Sequence, residues 1–109
     1  MVRAHRFAWA SKGTLARTRF DPTCAIEIEG VYAERALAIY KARYADLDAA
    51  GIPYTQHWGK INALTPARLT AMYGDRVDAW LDARRRLMAE ETERRTFENR
   101  FMATAGLVG

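Results

Sequence analysis

From Thr23 to Gly30 the side chains alternate with a period of two. Cys24, Ile26 and Ile28 fall on one face, and Ala25, Glu27 and Glu29 on the other, which predicts a half-buried β-strand. The β-branched isoleucines suit a pleated surface. The period then changes. Leu37, Tyr40, Tyr44 and Leu47 recur at three- and four-residue spacing, so one apolar stripe predicts a helix over residues 33–50. Glu34, Lys41, Asp46 and Asp48 lie mostly off that stripe. Gly51 is placed to end the helix in a left-handed cap, and Pro53 bars its return. Residues 52–56 read as a second short strand. The order strand, helix, strand puts both strands in one sheet with the helix across it, joined by a right-handed crossover if they are parallel.

Beyond this the pattern is helical. Thr65-Pro66 is a strong start, a hydroxyl cap followed by proline in the first turn, and Gly74 is the stop. Asp75 is placed to cap a further helix with the stripe Val77, Trp80, Leu81, Arg84, Leu87 and Met88. Arg84 is the odd member: its stem can pack while its head reaches out. Residues 90–95 are highly charged and read as a helix end or loop. Phe97 and Phe101 are expected to anchor the tail, and residues 105–109 to fray. Asp21-Pro22 marks a turn. Residues 1–20 have no clear pattern: Gly13 interrupts them, and residues 14–20 alternate loosely enough for a strand. The expected fold is α+β, a small β-sheet packed by helices. Residues 1–20 are a basic segment of undefined structure, and residues 21–109 are the folded domain.

Length and composition narrow this reading. A chain of 109 residues is enough for one small domain. Half of it is hydrophobic and 28% is charged, an ordinary globular mix. No apolar run approaches the ~20 residues needed to span a bilayer, and the apolar stretch at the N-terminus is too short for a signal peptide. A cytoplasmic location is the default expectation. Cys24 is the only cysteine, so no internal disulfide forms, and a small buried hydrophobe is the expected role. The net charge of +4 leaves nucleic acid open as a partner. Arg3, Arg6, Lys12, Arg17 and Arg19 crowd the acid-free residues 1–20. The run Arg84-Arg85-Arg86 is surrounded by Asp78, Asp82, Glu90 and Glu91, the mark of a solvated helix face. His5 and His57 lie far apart, with no second ligand at metal-binding spacing, so no metal site is expected. Ser11, the only serine, has no nucleophile context.

Two places carry candidate chemistry. His57-Trp58-Gly59-Lys60 reads as a tight loop. Gly59 permits a turn or close approach. Trp58 brings a large apolar face with one N–H. His57 and Lys60 can bind, orient or exchange protons. The plainer reading is a surface turn with two solvated cations. The second place is Glu27 and Glu29, whose carboxylates share a strand face about 7 Å apart by strand rise. The plainer reading there is the wet face of a one-sided sheet.

The segment Tyr54-Thr55-Gln56-His57-Trp58-Gly59-Lys60-Ile61-Asn62 resembles the HWGK or HWAK stretch near the end of flavin-dependent oxidases of the vanillyl-alcohol-oxidase superfamily. The branch it resembles holds the alditol oxidases, the aldonolactone oxidases and the flavin-linked cholesterol oxidases. Further features follow the same order: the strand Ala25-Ile26-Glu27-Ile28-Glu29, a long helix into the motif, an arginine-containing helix from Asp75 to Met88, and Phe97-Glu98-Asn99-Arg100-Phe101, which resembles an F-x-N-x-F close. The resemblance covers roughly residues 21–105. It implies the C-terminal part of a substrate cap, whose activity is oxidation of an alcohol carbon with FAD. The substrate would be a sugar alcohol, an aldonolactone or a sterol.

That resemblance also implies roles and a missing part. Lys60 stands at the flavin-facing motif position, where a cation stabilises charge on the ring or binds a substrate hydroxyl. His57 would brace the loop or bind substrate. Glu27 and Glu29 fall where the family's strand sends polar side chains into the substrate cavity, and either would accept a hydrogen bond from the hydroxyl. An acidic pair there departs from the family's usual residues. The family's upstream Glu-x-Arg pair cannot be placed in this chain, and no glycine-rich stretch is present to cradle a pyrophosphate. FAD is therefore expected only with a partner flavin-binding domain or chain, and none in isolation. Two alternatives stand beside this reading: a free-standing remnant acting as a small homo-oligomeric interaction domain, and a basic nucleic-acid-binding protein.

Overall fold

The alternating segment forms strand β2 (Thr23–Glu29). Its partner comes from the segment with no readable pattern: strand β1 (Val2–Ala8) runs antiparallel to it. His5 stands opposite Ile26 and Phe7 opposite Cys24. The structure, a computed structural model, describes residues 2–31 and 33–109. Five helices follow the strands: α1 (Glu34–Ala49), α2 (Pro66–Tyr73), α3 (Arg76–Leu87), α4 (Glu91–Thr96) and α5 (Arg100–Ala105). The fold is a small α+β arrangement, as the sequence predicts. None of these helices is long and apolar enough to cross a membrane.

The sheet differs from the predicted strand–helix–strand unit. Residues 52–56 form no strand. The Ile52 N–H turns back to the Leu47 carbonyl at 3.0 Å, closing the helix end instead, and Pro53 has no N–H to give to a ladder. Residues 14–20 form no strand either; the Ala16 N–H donates to the Gly13 carbonyl in a turn. Among the described residues the sheet has only β1 and β2.

The chain falls into two compact units, Met1–Ser11 with Thr18–Thr55, and Lys12–Arg17 with Gln56–Gly109. The first holds β1, β2 and α1. The predicted stripe of α1 is real but shallow: Leu37, Tyr40, Tyr44 and Leu47 are all half-buried, and no side chain of α1 is fully buried. The Tyr40 hydroxyl donates to the Ile28 carbonyl at 3.2 Å. Tyr44 stacks on Tyr54 at 5.6 Å between ring centres. Gly51 takes φ 65°, as its capping position requires. Cys24, expected to be buried, is exposed, because the face that it shares with Phe7 and Ile26 is uncovered: these are 75% and 58% exposed.

The second unit contains the buried core, Leu64, Leu69, Met72, Tyr73, Val77, Ala105 and Leu107. Thr65 caps α2 as predicted, its hydroxyl accepting from the Arg68 N–H at 3.1 Å. Asp75 stands before α3 but makes no side-chain cap. Of the α3 stripe, Val77 and Arg84 are buried, Trp80, Leu81 and Met88 are half-buried, and Leu87 is 83% exposed. The charged residues 91–96 are a helix with a capping box between Glu90 and Glu93. The tail does not fray. Gly106 takes a left-handed cap after α5, and Leu107 is buried in the core. Phe101 packs there too, whereas Phe97 is exposed.

Candidate functional site

The loop from Gln56 to Leu64 has no regular structure, so its shape depends on side chains that serve the backbone. The Lys60 N–H donates to the His57 carbonyl at 3.1 Å, closing the turn. The Asn62 amide then spans it, donating to the carbonyls of Trp58 at 3.1 Å and Lys60 at 2.9 Å. Its Oδ1 accepts from the Leu64 N–H at 3.3 Å. The Gln56 Oε1 accepts from the Ala63 N–H at 3.0 Å. Short polar side chains that bond to nearby backbone groups favour this kind of structure over helix or sheet.

Inside this frame the motif residues divide by exposure. Trp58 is half-buried against the core. Its ring meets Tyr73 edge-on at 6.3 Å and Phe101 at 5.8 Å. His57, Gly59 and Lys60 are exposed. The Gly59 N–H donates to His57 Nδ1 at 3.0 Å. A lone pair must be present at Nδ1 to accept it, so the proton of the neutral ring sits on Nε2, leaving a donor on the ring's other edge. A Cβ at Gly59 would stand 3.1 Å from His57 Cε1, so the exposed ring would have to shift by a few tenths of an ångström to admit one. Leu15, Arg17, Gln56 and Tyr73 join His57, Trp58 and Gly59 around a cavity of about 250 Å³.

Trp58 and Phe101 bring together two segments that the sequence analysis singled out separately. The second is built on its own hydrogen bonds. Asn99 caps α5 by accepting from the Met102 N–H at 3.0 Å. Glu98 accepts from Arg84 at 3.1 Å. Arg84 also donates to the Arg94 carbonyl at 2.8 Å and the Gly109 carbonyl at 3.3 Å. Its head is thus buried rather than reaching out: the side chain is only 3% exposed.

The acidic pair belongs to the first unit. Glu27 and Glu29 share a face of β2, as the alternation requires. Glu27 is held by Arg6 of β1 in an ion pair at 3.2 Å, and Glu29 is exposed at the strand end. His57 and Lys60 belong to the second unit.

Gln56 and Asn62 are the loop residues that sequence reasoning left without a role. The available signal was chemical: two side-chain amides flanking a glycine turn, where unpaired backbone groups must find partners. Among the described residues no group of three or more His, Cys, Asp or Glu side chains is placed to hold a metal ion. Comparisons with protein-family models, with curated proteins and with solved structures find no match.

Proposed function

We propose that the chain is the C-terminal substrate-cap portion of an FAD-dependent oxidoreductase that oxidises an alcohol carbon, with the flavin held by a separate domain or chain. The observation carrying this reading is the braced HWGK loop. Trp58 is wedged against Tyr73 and Phe101, and Asn62 ties the carbonyls on either side of Gly59, so His57 and Lys60 are presented at the surface by a fixed backbone. The F-x-N-x-F segment, the other part of the resemblance, supplies Phe101 to the same cluster. Presentation of this kind suits a flavin approached from one side.

A bound flavin would supply the acceptor for hydride from the alcohol carbon. Lys60 would offer its positive charge to the flavin or bind a substrate hydroxyl. His57 presents its Nε2–H to an oxygen of the substrate. In the test, the full chain is co-expressed with a flavin-binding chain, and flavin bleaching on addition of a sugar alcohol, aldonolactone or sterol is followed without oxygen. Bleaching that is lost in Lys60→Ala is expected; equal bleaching in the variant would remove the role given to Lys60. The chain alone should come off a desalting column colourless after incubation with FAD. Retained flavin absorbance would overturn the assignment of the cofactor to another chain.

A second reading, a small interaction domain, is favoured by the uncovered sheet face. Phe7 and Ile26 point to one side of the hairpin and both are exposed. An apolar face of that kind marks a contact surface. A flavin-binding partner or a second copy of the chain would cover it.

A further inference from the structure

Strand β1 is an open edge. Among the described residues no third strand pairs with it. Helix α1 reaches the sheet at β2, where the Tyr40 hydroxyl donates to the Ile28 carbonyl at 3.2 Å. A two-stranded sheet on its own is marginally stable in water, and the unpaired N–H and C=O groups along an edge are a template for another strand. The devices that blunt such an edge are weak in β1. It runs for seven residues without a proline, and Arg6 is turned to Glu27 across the hairpin.

The order of side chains along β1 selects what fits that edge. Arg3 and Phe7 stand two residues to either side of His5, and Ala4 and Arg6 one residue to either side. A second β1, laid antiparallel about a two-fold axis through His5, meets the first residue by residue. Arg3 falls opposite Phe7 of the second copy, Ala4 opposite Arg6, and His5 opposite His5. No arginine faces an arginine, so the destabilising pairing of like charges directly across strands is avoided. Each exposed Arg3 instead brings its guanidinium to the negative face of an aromatic ring, twice by symmetry. Phe7 is 75% exposed and open to that contact. An axis at Arg6 would oppose the two arginines, and one at Ala4 would set Arg3 against His5. We propose that β1 pairs antiparallel with β1 of a second copy of the chain, centred on His5, to make a four-stranded sheet. The two uncovered faces then join, with Phe7 and Ile26 of both copies on one side. Such pairing involves no cofactor and is independent of the flavin reading.

The test uses the full chain with the exposed Cys24 replaced by serine, and places one new cysteine in β1. His5→Cys puts the two thiols directly opposite each other, with Cα atoms about 4.5–5.5 Å apart, within reach of a disulfide. Ala8→Cys puts them about 20 Å apart by strand rise. Both positions are exposed, so neither change disturbs a core. Oxidation with copper phenanthroline in air, read on a non-reducing gel, should convert most of the His5→Cys chain to a covalent dimer and little of the Ala8→Cys chain. Sedimentation velocity of the unmodified chain should show a monomer–dimer equilibrium. Phe7→Ala should weaken it about tenfold, the loss of two cation–π contacts. A monomer at every concentration, cross-linking of Ala8→Cys as complete as that of His5→Cys, or an unchanged dimer in Phe7→Ala would each overturn the proposal.

Discussion

Replacing Arg84 by methionine should be among the most damaging single changes in the second unit. The side chain is nearly as long, so packing is largely kept and the loss is that of the charged head. Arg84 donates to the carbonyls of Arg94 and Gly109 and to Glu98 Oε1. These bonds tie α3 to α4, to the start of the last helix and to the tail. Hydrogen bonds from a charged group are each worth roughly 1.5–3 kcal/mol. They do not add fully, because Glu98 is a quarter exposed and regains water when its partner goes. Breaking a buried pair from one side costs about 3–5 kcal/mol, a large part of the roughly 5–15 kcal/mol that holds a domain together. Thermal unfolding followed by circular dichroism should show Tm falling by more than about 10 °C. Arg86→Met, at an exposed position of the same helix, should leave Tm near that of the parent. The difference should persist in high salt, since a buried pair is poorly screened. If Arg84→Met lost no more than Arg86→Met, the buried arginine would not be what joins these segments.

Gly106→Ala should cost more than about 1 kcal/mol: Gly106 has φ 78°, and a Cβ there would stand 3.0 Å from Pro66 Cγ. Urea unfolding checks it, and an unchanged midpoint would mean that the tail is not locked against α2. Alkaline pH should destabilise the first unit. Burial, with a smaller contribution from Tyr40, raises the Tyr44 hydroxyl above its ordinary value of 10.0. The unfolded chain then loses this proton first, so stability is intact below about pH 10 and falls as pH rises toward the folded value. Tyr44→Phe should flatten that fall, and an unaltered pH profile would refute the assignment. The double change Phe7→Ser with Ile26→Thr should reduce self-association in sedimentation velocity, if the uncovered face is a contact surface. Self-association at the parent level would move the contact elsewhere.

Local rules carried much of the fold. The period-two run at Thr23–Glu29, the stripe from Leu37 to Leu47, the Thr65-Pro66 start and the glycines at 51 and 74 each settle a neighbourhood of a few residues, and each stands where its chemistry puts it. The strand β1 is hidden because its alternation lasts only over Val-Arg-Ala-His and breaks at Arg-Phe-Ala. It is held to β2 by the ladder and by the Arg6–Glu27 ion pair across it, and neither relation is visible inside β1 itself. The opposite error arose at residues 52–56, where a β-branched residue after a helix cap suggested a strand that Pro53 cannot support.

The candidate site was legible as residue types and not as architecture. His57 and Lys60 stand out because histidine is scarce in this chain and glycine separates them from a helix or strand. What holds them lies in side chains with no motif of their own. Asn62 and Gln56 matter through bonds to backbone groups several residues away, and Arg84 through carbonyls that only the folded tail brings near. The tail itself was misjudged because Ala105-Gly106-Leu107 is short and glycine-rich, features shared by frayed ends and by left-handed caps that turn a leucine back into the core. Composition does not separate those two outcomes; the space between α2 and the chain end does. The same argument applies to Gln56. A glutamine before a histidine has no meaning as a pair of letters, and acquires one only when its oxygen accepts from the Ala63 N–H and closes the far side of the loop.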